Sequence, residues 1–192
     1  CLGAKNSEAL SGGQVGSWYA PNFTSDKTAG IGSWSDEQLY RYLKTGHVNG
    51  KAQAAGPMAE AIEHSLQYLS DDDLHAIVAW LRQVPSSSAG DTQSRFEQGK
   101  PSDNEDALRS VAHPDAGWQL YSSSCANCRQ ANGEGSQYYP SLFHNSATGA
   151  ATPDNLISAI LFGVHRHTDG QDIAMPAFGP AGSFSERLND QQ

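Results

Sequence analysis

The chain has 192 residues, a net charge of −9 and 38% hydrophobic residues, enough for one or two small domains. The acidic balance excludes a nucleic-acid binder, which calls for a basic face. No apolar run reaches bilayer length, so membrane association would come only through segments or partners outside this sequence. Three cysteines are too few for a disulfide scaffold, and the one close pair among them points to redox, metal or haem chemistry.

In chain order, the pattern predicts helices separated by long loops. The first starts at Ser35, an N-cap with a capping-box partner in Gln38. Leu39, Tyr40 and Leu43 share one face, and Gly46 stops the helix. A second follows Pro57 through Met58, Ile62 and Leu66. A third starts at Ser70, with Asp71, Asp72 and Asp73 in its first turn to complement the helix dipole. Leu74, Ile77, Val78 and Leu81 form its buried stripe, and Pro85 ends it. Residues 86–113 are rich in Ser, Asp, Glu, Gln and Gly, and read as a linker that buries too little surface to offset its ordering entropy. Asp115 caps a helix that carries Trp118, Leu120 and Tyr121 toward Cys125. Thr152-Pro153-Asp154 opens another, with Leu156, Ile157, Ile160 and Leu161 on its apolar side. Ser185 to Gln192 reads as the first turns of one more. No stretch shows a convincing strand alternation. The expected fold class is therefore all-α, with units at 1–85 and 114–192 joined by the 86–113 linker. A weak repeat supports the division: Gly56-Pro57-Met58 in the first unit answers Met175-Pro176 in the second.

Cys125-Ala126-Asn127-Cys128-Arg129 carries the most chemistry. C-x-x-C-H is the signature of covalent haem c attachment. Its two sulfurs bond the porphyrin, and its His becomes an axial ligand of the iron. Arg129 stands in the place of that His, and a guanidinium has no lone pair to give a metal. A haem c site also needs a second axial ligand from a distant loop and an apolar wall. Met175, in Met175-Pro176-Ala177-Phe178-Gly179, is the distal candidate. Tyr138, Tyr139, Leu142, Leu156, Ile160 and Phe178 are the candidate wall. His113, His144, His165 and His167 are read as solvated or capping residues, and His47, His64 and His75 as surface residues. Arg129 beside the thiols is expected to favour the thiolate. Without haem, Cys125 and Cys128 would form a short-loop disulfide or a dithiol.

Several longer segments resemble the multihaem cytochrome c subunits of periplasmic, membrane-bound sugar, sugar-acid and alcohol dehydrogenases. Trp18-Tyr19-Ala20-Pro21-Asn22-Phe23-Thr24-Ser25-Asp26 is similar to that family's W-x-A-P-N-I-T-x-D segment. Gly30-Ile31-Gly32-Ser33-Trp34-Ser35 and Tyr42-Leu43-Lys44-Thr45-Gly46 match its next landmarks. Ala55-Gly56-Pro57-Met58-Ala59-Glu60 matches the loop that carries a distal Met, and the stretch from Trp118 onward matches the following haem domain.

The resemblance implies two cytochrome c-like domains, haem c bonded through Cys125 and Cys128, and axial iron ligands in Met175 and Met58. It implies electron transfer from a dehydrogenase catalytic subunit toward a quinone or terminal oxidase, in the periplasm. It also implies that both ends are truncated: Cys1 would fall just after the first domain's attachment motif, and the closing helix would continue past Gln192. Two rival readings keep the same residues. One is a haem-less structural or docking module closed by a Cys125–Cys128 disulfide. The other is a thiol-disulfide redox protein, for which the surrounding β-α-β pattern is missing.

Overall fold

The computed structural model describes residues 9–88, 93–101, 115–136, 139–183 and 187–189. The predicted helices of the first half form where their caps place them. Helix α1 (Asp36–Thr45) carries the full capping box between Ser35 and Gln38 and ends at Gly46 in the left-handed conformation. Helix α2 spans Gly56–His64 and passes into a single 3-10 turn over Leu66–Tyr68. Helix α3 spans Asp71–Leu81, with the Ser70 hydroxyl accepting from the Asp73 amide. Because Ser35 satisfies an otherwise orphaned amide at the start of α1, Ser35→Ala is expected to lower stability by about 1 kcal/mol. Urea unfolding monitored by circular dichroism measures it, and an unchanged midpoint would show that the cap does not hold this helix.

The all-α expectation is overturned: six α-helices share the described residues with three two-stranded antiparallel sheets, a mixed α/β architecture. Strand β1 (Gly13–Val15) pairs with β2 (Trp18–Ala20), β3 (His47–Val48) with β4 (Ala52–Gln53), and β5 (Val164–Thr168) with β6 (Gln171–Met175). Strands this short escape a search for long alternation, but their turns do carry a signal. Asp169 and Gly170 both have positive φ between β5 and β6, as an Asp-Gly hairpin turn requires. Asn49-Gly50 plays a similar part between β3 and β4, with Gly50 in the left-handed region.

One closed hydrophobic core lies in the first half. Leu39, Ile62 and Leu74, fully buried, bring α1, α2 and α3 together with Trp34, Tyr42, Val78 and Leu81. Phe96, inside the stretch read as linker, inserts its ring into this core and meets Trp34 edge-on with centroids 5.6 Å apart. That stretch is therefore anchored at one aromatic residue. A polar-rich composition hides such an anchor, because a single ring barely moves the average.

The second half carries helices α4 (Ala116–Ser124), α5 (Ala126–Arg129) and α6 (Asp154–Phe162). Asp115 caps α4 by accepting from the Trp118 amide. The helix expected from Ser185 lies mostly outside the described residues, and residues 187–189 are not helical. No described helix is long and apolar enough to cross a membrane.

The two halves meet along a polar seam. Asn155 exchanges two 2.8 Å hydrogen bonds with the Tyr19 backbone, and Ser158 donates to the Ser17 carbonyl. The β5–β6 hairpin lies against α2 and the end of α1 through Arg166, His167 and Thr168.

Candidate functional site

The Cys pair sits on one helical turn. Cys125 closes α4 through its amide to the Tyr121 carbonyl, and its own carbonyl accepts from the amides of Cys128 and Arg129. Both thiols are free, Cys128 exposed and Cys125 half-buried. Burial pushes the Cys125 thiol up in pKa, and the opposing effect of Arg129 does not reverse it. The thiolate preference expected from the neighbouring guanidinium is thus outweighed by desolvation.

Met175 is the last residue of β6, opposite Val164. Two contacts fix the loop beyond it. The amides of Phe178 and Gly179 donate to the carbonyls of Ile160 and Leu161, so the end of α6 is capped by the Met-Pro-Ala-Phe-Gly stretch. At Gly163, where φ is +72°, a Cβ would come within 2.5 Å of the Met175 carbonyl, so only glycine lets the two chains approach.

Arg129 lies between these elements. Its Nη1 donates to the Pro140 carbonyl, and its Nη2 lies 3.9 Å from the Met175 sulfur. The residue standing where the motif's His would stand therefore faces the distal methionine candidate. Burial draws the guanidinium pKa downward, chiefly by desolvation.

The apolar wall is present but open. Among the described hydrophobic residues from 115 onward, Phe178 alone is buried. Leu142, Leu156, Ile160 and Leu161 are half-buried, Tyr139 is 41% exposed and Ile157 48% exposed. Tyr138 lies outside the described residues. Helix α6 thus turns Ser158, not its apolar stripe, fully inward.

The described histidines have other engagements. His144 bonds the Phe96 carbonyl through Nδ1, His167 pairs with Asp172 at 2.7 Å, and His165 lies exposed on the outer face of β5. His113 and Cys1 lie outside the described residues. Met58, in the first turn of α2, packs on the first-half core. No group of three or more His, Cys, Asp or Glu side chains among the described residues is placed to hold a metal ion.

Tested against haem c, the donor set fits in part. The adjacent thiols, the thioether and the half-exposed apolar wall suit a flat apolar ring anchored at one edge. The guanidinium does not suit the axial place beside the thiols, because it offers no lone pair.

A thiol pair on a helical turn, a distant methionine and an apolar wall are the features expected of a cytochrome c-type site. Residues 112–188 match the family model described as "Cytochrome C oxidase, cbb3-type, subunit III". The chain belongs to the family of cytochrome c subunits of membrane-bound dehydrogenases, as its sequence resemblance implied. It is 49% identical over 202 residues to the fructose dehydrogenase cytochrome subunit of Gluconobacter japonicus, covering 100% of this chain and 41% of the relative. It is 33% identical over 195 residues to the gluconate 2-dehydrogenase cytochrome c subunit of Pantoea cypripedii, covering 99% of this chain and 42% of the relative. It is 31% identical over 156 residues to the cytochrome c subunit of a quinone alcohol dehydrogenase from Komagataeibacter europaeus, covering 80% of this chain and 32% of the relative. The chain thus spans well under half the length of these curated relatives. Haem c is the cofactor that the family implies.

Arg166 is a buried residue that the sequence reading left unmarked. It is fully buried, donates from Nη1 to the Ala54 carbonyl at 2.8 Å, and leaves Nε and Nη2 without a partner among the described residues. The signal was available: Arg166 alternates with His165 and His167 ahead of Asp169-Gly170, which places it on the opposite, inward face of a hairpin strand.

Proposed function

We propose that this chain is an electron-transferring segment of a periplasmic dehydrogenase's cytochrome subunit. Its haem c would be anchored through Cys125 and Cys128, with Met175 as an axial ligand and Met58 serving likewise in the first half. The bound group would supply one-electron redox chemistry. The chain's own part is to hold the ring's edge by two sulfurs, to offer the thioether, and to keep water from one face with Leu142, Leu156, Ile160 and Phe178. Its organisation is two cytochrome c-like units, 1–85 and 114–192, on either side of 86–113. Its partners are the dehydrogenase's catalytic subunit on one side and a quinone or terminal oxidase on the other.

The observation that carries this reading is the convergence of the Cys125–Cys128 turn and Met175 on one residue, Arg129, whose amide donates to the Cys125 carbonyl and whose Nη2 lies 3.9 Å from the Met175 sulfur. Its test is a visible spectrum of the chain produced alongside haem-attachment machinery. A Soret band that survives acid-acetone extraction, and that disappears in a Cys125→Ser, Cys128→Ser double variant, is the expected result. No band in the parent chain and none in Arg129→His would overturn it.

The contact of Arg129 with Met175 also favours a second reading, a haem-less docking module, in which the two thiols, free in this structure, would close into a disulfide. A thiol count under denaturing conditions separates the two, since thioether bonds withstand reductant and a disulfide does not. The raised pKa of Cys125 argues against a catalytic thiol, which needs a lowered one.

A further inference from the structure

Arg166 combines features that rarely occur together. Its side chain is fully enclosed, two of its nitrogens lack hydrogen-bond partners, and it forms no ion pair among the described residues. Glu63 of α2 acts on this charge favourably without forming an ion pair, but a buried cation so weakly compensated still costs stability that an apolar residue of similar volume would not. Stability alone therefore does not account for an arginine at this position.

Its connections do. Arg166 belongs to β5 in the second half, yet the one hydrogen bond its side chain makes among the described residues goes to Ala54 in the first, four residues before Met58. The guanidinium packs on Gly46, at the end of α1, so closely that a Cβ there would come within 2.8 Å of Nε. On the same strand, Thr168 donates to the Thr45 carbonyl at 3.1 Å, and the His167 amide donates to Glu63 of α2 at 3.2 Å. Through the ladder, Arg166 sits opposite Ile173, and the paired strand ends at Met175. One side chain thus ties the backbone leading into Met58 to the strand that delivers Met175.

We infer that Arg166 is a positioning residue that holds the two methionine loops in fixed relation across the seam. The inference rests on the cytochrome reading only in treating Met58 and Met175 as ligands. A rigid strand transmits the constraint, because the hairpin cannot shift its register without turning Arg166 outward. Lysine would keep the charge and could reach one carbonyl, but it lacks the planar fork that packs against Gly46.

The test compares Arg166→Leu, Arg166→Lys and Asn155→Ala, the last of which breaks the seam at Tyr19 and away from the hairpin. Both methionines are half-buried. Their rates of oxidation by dilute peroxide, read by mass spectrometry on the intact chain, report how well each loop is held. The expected result is a several-fold faster oxidation of Met58 and Met175 together in Arg166→Leu, partial rescue in Arg166→Lys, and parent rates in Asn155→Ala. Unchanged rates in Arg166→Leu would overturn the inference. So would acceleration at only one methionine, or equal acceleration in Asn155→Ala. If Arg166→Leu does not fold, Arg166→Lys decides: paired acceleration supports the inference, and parent rates at either methionine overturn it. This readout needs no haem, so failure of the cytochrome reading and failure of this inference are told apart. In haem-loaded protein, the same variants should alter the absorption of thioether-ligated iron in the same order.

Discussion

Arg129→His is expected to raise the covalent haem content of the chain about tenfold or more. Loss of a supporting partner alone costs ~10–100-fold in metal affinity, and here a ligand itself is replaced. The argument begins with lone pairs. An imidazole presents one to iron, and a guanidinium presents none. The second step is orientation. A metal-ligating imidazole is held by donating its other ring N–H, often to a backbone carbonyl. The Pro140 carbonyl already accepts from Arg129 Nη1, so a backbone acceptor faces this side chain. The third step is room. Removing the guanidinium frees the face of Met175 that Nη2 approaches at 3.9 Å. Pyridine haemochrome absorbance per polypeptide measures the gain. Equal, negligible loading in both proteins would mean that the pocket departs from a haem site beyond this one residue, and would favour the docking module.

How much of this could be read beforehand depends on the range of the forces involved. Ser35, Gln38 and Gly46 announce α1 because a capping box and a left-handed stop act over three or four residues. The thiol pair and the Arg129 anomaly were legible for the same reason. The hairpins were missed because their strands run for only two to five residues, although Asp169-Gly170 marked one of them. The burial of Phe96 and the reach of Arg166 to Ala54 are long-range choices that no local pattern encodes. The exposed side of α6 is another such case. Periodicity marks Leu156, Ile157, Ile160 and Leu161 as one apolar side, but it does not say what that side packs on. In the structure Ile157 remains 48% exposed. At Cys125, local charge pointed toward the thiolate, and burial, which is a tertiary property, decided the other way.

Leu39→Ala is expected to destabilise the chain by about 2–5 kcal/mol, the range for truncating a buried leucine. Leu39 is completely enclosed where α1 meets the other first-half helices. Its neighbours cannot close over the gap easily. Tyr42 is locked by Trp34 and Phe23, with ring centroids 5.8 and 6.3 Å away. Burial also lifts the Tyr42 hydroxyl to a pKa of about 12, so charging it offers no relief near neutral pH. The loss should therefore approach the upper part of the range, because poorly collapsing sites retain the larger cavities. Trp80→Ala is the contrast. Its ring is 59% exposed, and substitutions of that kind usually stay within about 0.5 kcal/mol. Urea unfolding monitored by tryptophan fluorescence and circular dichroism on both variants makes the comparison. The core around Leu39 closes over buried side chains of α1, α2 and α3, whereas most apolar side chains of the second half stay half-exposed. Leu39→Ala should therefore lower the unfolding midpoint whether or not haem is loaded. If the midpoint moved only in haem-loaded protein, the first-half core would depend on the ring and not on Leu39.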